Sequence, residues 1–220
     1  MKTLLFCTSY AANLNEWEGR YKKWLNFHRE YGPRADCIAI IDDGSPVLPE
    51  WKTESDRDGK IIHFPNNLGR QAHLEYPGWY RSFAYASKMA KRDGYEKVIH
   101  VESDAFLVSK RICEWVDSLT HGWHVMWCPK HNFHESAIQV ICSDQIEAYS
   151  EFCSKDYEAY RGQLMDRMFP YTQTHKEFNG DRYGEYLSEI PLNADYACQV
   201  RDDWGVSHFE NHPSVYLTAL

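Results

Sequence analysis

Short apolar runs alternate with amphipathic stretches through the first half of the chain. Leu4 to Thr8 forms a continuous run that predicts a buried strand. After Asn15, the residues Trp17, Tyr21, Trp24, His28 and Tyr31 recur at helical spacing until Gly32-Pro33 stops them. Cys37-Ile38-Ala39-Ile40-Ile41 is a second buried run, closed by Asp42-Asp43-Gly44-Ser45-Pro46. Ile61-Ile62-His63-Phe64 repeats the pattern and ends at Asn66-Asn67-Leu68-Gly69. Residues 78–92 then place Trp79, Phe83, Ala86 and Ala90 on one helical face, with Gly94 as the stop, and Val98-Ile99-His100-Val101 follows as a fourth strand ending in Glu102-Ser103-Asp104.

This alternation predicts an α/β fold with a mostly parallel central sheet flanked by helices. In open sheets of this kind ligands bind beyond the carboxyl ends of the strands. Thr8-Ser9-Tyr10, Asp42-Asp43, Asn67-Leu68-Gly69 and the Glu102/Asp104 pair are therefore expected to meet in one crevice. The second half is less periodic. A helix is expected over residues 110–119, strands over 123–128 and 137–142, and a helix over 145–153, followed by irregular, aromatic chain with helical segments near 161–169 and 181–190.

Composition narrows the function classes. With 220 residues, 43% hydrophobic and 25% charged, the chain suits one domain with a true core. Its net charge of -8, from 24 basic against 32 acidic side chains, argues against a duplex-binding protein and predicts no nucleic-acid partner. An aromatic share of 15%, including 8 Trp and 15 Tyr, suits a sugar or nucleobase surface. Seven cysteines without a C-x-x-C pair fit neither a disulfide framework nor a zinc cluster and predict reduced thiols. The opening apolar run is too short for a signal sequence and no stretch approaches a membrane span, so a cytoplasmic protein is expected, with peripheral membrane contact left open.

Two acidic segments carry candidate chemistry. A carboxylate of Asp42-Asp43-Gly44-Ser45 could accept the imide N–H of a uracil or thymine ring; the same segment also reads as a plain Asp-Gly turn. Glu102 and Asp104, alternate residues after a buried strand, could hold a hard divalent cation that bridges the phosphates of a nucleotide donor, although such a triplet is also common on solvated surface.

Taken in order, these residues resemble the nucleotide-sugar-dependent glycosyltransferases of the GT-A fold, most closely the family 2 group, over about residues 3 to 109. Thr8-Ser9-Tyr10 resembles the family's first nucleotide-contacting loop, Asp42-Asp43-Gly44-Ser45 its D-D-G-S segment and Asn67-Leu68-Gly69 its N-x-G segment. Arg81 is similar to the arginine of A-R-N, replaced here by Tyr80-Arg81-Ser82, and Glu102-Ser103-Asp104 stands at the D-x-D signature with Glu at its first position. The resemblance implies residues 1–109 as the nucleotide-sugar-binding half and 110–220 as the acceptor-binding and catalytic half of the same domain. It implies that Asp42 binds the base, Thr8 and Tyr10 shape the nucleoside pocket, Glu102 faces ribose or a metal-bound water, and Asp104 ligates Mn2+ or Mg2+. His208 is a further metal candidate on the same ground. The implied activity is metal-dependent, inverting transfer of a UDP-linked sugar to a glycan or lipid-linked acceptor.

Inversion calls for a carboxylate base, and Asp181, in a segment resembling the family's late acidic helix start, is the first choice, with Glu177, Asp202 and Asp203 as alternatives. Asp181 reads equally well as a helix N-cap. His208 and His212 stand four apart and read otherwise as surface histidines. His121, His124, His131 and His134 are expected on loops toward the acceptor, and Trp123, Trp127, Phe133 and Trp204 read as stacking surfaces or, individually, as core. Two other classes stay open: a non-catalytic nucleotide- or sugar-binding domain on a degenerate transferase fold, and a nucleotidyltransferase, which normally carries a glycine-rich loop where this chain has Thr8-Ser9-Tyr10-Ala11-Ala12.

Overall fold

A computed structural model describes residues 1–51, 55–185 and 189–200. Asp202, Asp203, Trp204, His208 and His212 lie outside the described residues.

Strand β1 (Thr3–Ser9) leads through a one-turn helix α1 (Leu14–Glu16) and a π-helical turn (Trp17–Tyr21) into α2 (Lys22–Tyr31). Then follow β2 (Cys37–Asp42), β3 (Lys60–His63), α3 (Pro77–Asp93), β4 (Lys97–Val101) and the short β5 (Phe106–Leu107). The second half contributes α4 (Lys110–Ser118), β6 (Trp123–Cys128), β7 (Phe133–Cys142), α5 (Ile146–Ser154), β8 (Gln173–His175), β9 (Gly180–Asp181) and β10 (Tyr196–Ala197). The main sheet has seven strands in the order β3-β2-β1-β4-β7-β6-β8. Only β7 runs against the rest, pairing antiparallel with both β4 and β6. A second sheet, β5-β10-β9, brings the end of the described chain back against the residues after β4.

Alternation along β1 sorts the core into two layers. Leu5 and Cys7 face a cluster built with Trp17, Trp24, Ile112 and Val116, whereas Leu4 and Phe6 face one built with Phe83, Met89, Trp123 and Tyr149. Helices α2 and α4 thus cover one face and α3 and α5 the other. β2 is buried along its whole length, which explains its unbroken apolar sequence. Helix α3 begins with Pro77 at its first turn and ends at Gly94 in the left-handed region (φ 70°), a conformation glycine adopts without steric cost.

Three expectations change. β3 is an edge strand and only half-buried, so its apolar residues do not mark a central strand. The helices expected near 161–169 and 181–190 reduce, among the described residues, to single turns at Met165–Arg167 and Tyr183–Glu185, while Gln173–His175, Gly180–Asp181 and Tyr196–Ala197 are strands of two or three residues. His124 and His134 lie within β6 and β7 rather than on loops, and His124 is buried with Nδ1 2.9 Å from His175 Nε2.

Candidate functional site

The carboxyl ends of β1, β2 and β4 open onto a cavity of about 380 Å³. Thr8, Ser9 and Tyr10 form one wall, Asp43, Asn67 and Gly69 another, and Glu102 and Ser103 the floor. The structure thus brings most of the sequence-selected residues to one place. It also adds Arg20, Tyr21, Arg70, Tyr76 and Trp79 to the lining.

The two aspartates of the Asp42-Asp43 pair face different ways because successive residues of an extended segment alternate. Asp42 is fully buried and lines neither this cavity nor its neighbour. Its Oδ1 accepts from Ser9 Oγ (3.2 Å) and Ser45 Oγ (2.5 Å), and its Oδ2 from the Ser45 amide (2.8 Å) and His63 Nδ1 (2.7 Å). Asp42 therefore ties β1, β2 and β3 together at their ends. Asp43 holds the next loop: its Oδ2 accepts from Asn67 Nδ2 (2.9 Å) and from the amides of Leu68 (3.1 Å) and Gly69 (2.8 Å). Arg81 grips the other Asp43 oxygen, donates to Asn66 O (2.6 Å) and lies 4.1 Å over the Phe64 ring. Arg81 is thus a brace behind the wall, outside the cavity lining. The arrangement depends on Gly78, where a Cβ would land on the Asp43 carboxylate.

Glu102-Ser103-Asp104 forms a turn, not an extended segment, since the Ala105 amide donates to Glu102 O (2.9 Å). Glu102 Oε1 accepts from Trp79 Nε1 (3.1 Å). Asp104 Oδ2 accepts from Arg20 Nη2 (3.2 Å), and Asp104 Oδ1 is buried without a partner. The Glu102 carboxyl is pushed up to about 8, first by burial and then by repulsion from Asp104, Glu135 and Asp166, with Arg182 opposing.

Glu135, Asp166 and Arg182 line a second cavity of about 440 Å³, whereas Asp104 is in the lining of neither cavity. The second shares Arg70, Tyr76, Trp79 and Glu102 with the first, so the two meet at the floor carboxylate. Glu135 on β7 is fully buried and takes a two-bonded grip from Arg182, at 2.5 Å to Oε2 and 3.1 Å to Oε1. Burial raises the Glu135 carboxyl, and the Arg182 hydrogen bonds and charge oppose that rise. Asp166 Oδ1 accepts from Ser136 Oγ (2.6 Å) and lies 3.7 Å from Arg182 Nη2. Leu74 (φ 63°) and Gln199 (φ 57°), both lining this cavity, adopt the left-handed backbone region that side chains rarely occupy.

Asp181 stands apart from both linings. It lies in β9, where its carboxylate accepts from the amides of Lys130 (3.2 Å) and Arg182 (2.8 Å) and from Cys128 Sγ (3.4 Å). Glu177 is bound to His175 Nδ1 (2.7 Å). Trp123 is fully buried in the core, Trp127 carries Lys176 Nζ 3.7 Å over its ring, and Phe133 carries the Arg182 guanidinium at 5.0 Å.

Sequence reasoning missed Arg20, Arg70, Glu135, Asp166 and Arg182. None of the five had a local signal: even Glu135, on a strand, lies where the register of β7 against β6 shifts, so alternation along the strand does not place it. The seven cysteines are free thiols, all buried except the half-buried Cys153. No helix of the described residues is long and apolar enough to cross a membrane.

No family model matches the chain, and no curated protein matches it in sequence. Among solved structures, it is similar to a glycosyltransferase involved in the glycosylation of the major capsid of PBCV-1, with a TM-score of 0.53 and 8% identity, over 96% of this chain and 99% of that one. The mixed α/β architecture, with its seven-stranded sheet flanked by helices, is therefore a fold shared with a glycosyltransferase.

Proposed function

We propose that this chain is a GT-A-type glycosyltransferase of the family 2 kind, moving a sugar from a UDP-linked donor to a glycan or lipid-linked acceptor with inversion. The observation that carries the reading is the junction of two cavities at Glu102, on the carboxyl edge of the parallel strands, in a fold shared with a glycosyltransferase. A two-substrate transfer needs two adjoining sites that meet at the reacting atoms.

In this reading the nucleoside lies against Thr8, Ser9 and Tyr10, with Asn67 and Gly69 opposite. Asp42 and Asp43 shape that pocket through the loops they hold, because their oxygens are taken by protein donors. Glu102 and Asp104 fit a divalent ion, Mn2+ or Mg2+. Asp104 keeps one buried oxygen without a partner, and its charge, with those of Glu135 and Asp166, acts on Glu102 beside it. Among the described residues no group of three or more His, Cys, Asp or Glu side chains is gathered for a metal, which leaves the other ligand positions to phosphates and water. When bound, such an ion supplies countercharge to the leaving diphosphate.

The acceptor occupies the second cavity, where Tyr76 and Trp79 offer flat surfaces at the junction. Asp166 is the proposed base in place of Asp181. It lines the cavity and its Oδ1 is steadied by Ser136, whereas Asp181 is turned to backbone amides outside the cavity lining. Asp166 takes the acceptor hydroxyl proton as that oxygen bonds to the anomeric carbon and the carbon–oxygen bond to the diphosphate breaks.

The test is a melting-temperature panel with UDP, GDP, dTDP and CMP, with and without Mn2+, followed by a transfer assay on UDP-sugars. A metal-dependent rise selective for UDP, followed by transfer, is expected. No rise with any nucleotide at millimolar concentration would overturn the donor-site reading.

A further inference from the structure

Arg20 occupies an unusual place. It is the fourth residue of the π-helical turn Trp17–Tyr21, in which the Lys22 amide reaches back five residues to Trp17 O. Such turns add a residue to a helix and re-aim its side chains, and they are frequent at functional sites. Nearby carboxylates are engaged elsewhere. Glu16 accepts from the Ala12 amide (2.8 Å), and Glu18 accepts from Lys22 Nζ (2.6 Å) and Trp51 Nε1 (2.8 Å). Arg20 reaches instead across the cavity floor, donating from Nε to Ser103 Oγ (2.9 Å) and from Nη2 to Asp104 Oδ2 (3.2 Å). Its side chain stays 36% exposed, and it lines the first cavity together with Glu102 and Ser103. The Tyr21 hydroxyl, next in the turn, fixes both the amide and the carbonyl of Tyr10 at 3.0 and 2.8 Å, so the turn is locked to the loop expected to hold the nucleoside.

We infer that Arg20 is an exchangeable cation of the donor site. In the empty enzyme its guanidinium neutralises Asp104; when a divalent ion arrives with a nucleoside diphosphate, Arg20 yields Asp104 to the ion and turns its donors onto the diphosphate. This rests on the transferase reading and deepens it. Three observations support exchange over a fixed structural pair. Asp104 gives Arg20 one oxygen and keeps the other buried and without a partner. Arg20 keeps 36% of its side chain in solvent against 18% for Asp104, so the guanidinium has open space into which to turn while the carboxylate stays in place. A guanidinium fork also matches phosphate oxygens as well as it matches a carboxylate. The consequence is coupled binding: ion alone must displace Arg20 without compensation, whereas ion and diphosphate together give Arg20 a new partner. By linkage, each then tightens the other.

The test measures Mn2+ binding by electron paramagnetic resonance and UDP binding by calorimetry, each alone and with the other, in wild type, Arg20→Met and Arg20→Lys. Melting curves check that the variants fold. Arg20→Met is expected to bind Mn2+ alone about fivefold more tightly, the size of effect a partly exposed ion pair supplies. It should bind UDP with Mn2+ about tenfold more weakly, and the mutual enhancement should shrink. Arg20→Lys, which keeps the charge without the fork, should fall between the two. An Arg20→Met protein whose affinity for Mn2+ alone is unchanged or weaker overturns the exchange. Should wild type take up neither Mn2+ nor UDP, the donor-site reading itself falls, a result distinct from wild type binding both and the variant matching it.

Discussion

The pair between Arg182 and Glu135 gives the sharpest stability prediction. Glu135 has no exposed surface, and both of its oxygens rest on the Arg182 guanidinium, which also reaches Asp166 at 3.7 Å and Glu185 at 3.3 Å. Arg182→Met keeps an aliphatic stem and removes the charge together with the guanidinium that lies over Phe133. A buried carboxylate left without its partner costs about 3–5 kcal/mol. The protein can instead protonate Glu135, which limits the loss. From the carboxyl's reference value of 4.5, protonation costs about 1.36 kcal/mol for each pH unit above that value. The ceiling is then about 0.7 kcal/mol at pH 5, about 3.4 at pH 7 and about 4.8 at pH 8.

The sign follows from linkage. In the variant the folded carboxyl titrates above the unfolded one, so the stability associated with the protonated form is present below about 4.5 and is lost as pH rises through the folded value. The gap between wild type and Arg182→Met therefore widens with pH. Urea unfolding followed by tryptophan fluorescence at pH 5, 6, 7 and 8 measures it, with Glu135→Gln and the double variant alongside. The double variant should recover most of the loss at pH 8, because the fully buried carboxylate of Glu135 is gone, while Asp166 keeps its bond from Ser136. A loss equal at pH 5 and pH 8, or a double variant no more stable than Arg182→Met, would refute the reasoning.

Gly78→Ala drives a methyl into the Asp43 carboxylate and so displaces the Asn67-Leu68-Gly69 wall; it should lower the melting temperature by several degrees, at about 1–3 kcal/mol of overpacking, and weaken UDP binding, and a variant matching wild type in both would show that the wall adapts. Asp166→Asn should reduce the transfer rate constant by about 10²–10⁴ with UDP affinity held within about twofold; a fall in UDP affinity with turnover intact would remove Asp166 from the role of base. His28 and His100, both fully buried, are lowered to about 4 and about 3 by burial. The unfolded chain then binds more protons than the folded one below about pH 6.5, so stability should fall with acid by up to about 2.7 kcal/mol per pH unit between pH 6 and 4.5. His100→Phe should remove about half of that slope, and a slope unchanged in the variant would place the acid sensitivity elsewhere.

The fold was legible where burial is local and two-sided. β1, β2 and β4 read as unbroken apolar runs because both faces are covered, and α3 showed its buried face at Trp79, Phe83, Ala86 and Ala90. The strands of two or three residues, β8 to β10, carry no period of their own; they exist because β6 and β5 offer open edges, a long-range fact. The site divides in the same way. Strand-end loops converge by topology, so their polar clusters could be named in advance. Which aspartate faces outward depends on Ser9, Ser45 and His63 around Asp42, and on the 67–69 loop and Arg81 around Asp43. Glu135, Asp166 and Arg182 come from elements separated by 16 to 47 residues, and nothing local links them.

The distribution of positive charge across the floor then acquires a physical logic. Arg182 is mostly enclosed, holds a fully buried carboxylate by two bonds and touches two more acids, so removing it strands charge where water cannot reach. Arg20 holds a carboxylate by one bond, keeps a third of its side chain in solvent and faces the cavity. The first pair is expensive to break and fixes the shape of the second cavity; the second has its arginine partly in solvent and, in the proposed exchange, responds to a ligand. Under the proposed transfer, a site that receives an anionic donor and releases an anionic product gains from this asymmetry. A floor neutralised everywhere by enclosed arginines would have no place for an ion to enter. One with no arginine would leave Asp104 and Asp166 without a countercharge beside Glu102, whose carboxyl is already raised by burial and by these neighbours. In the proposed exchange, Arg20 supplies the countercharge to Asp104 until an ion takes its place.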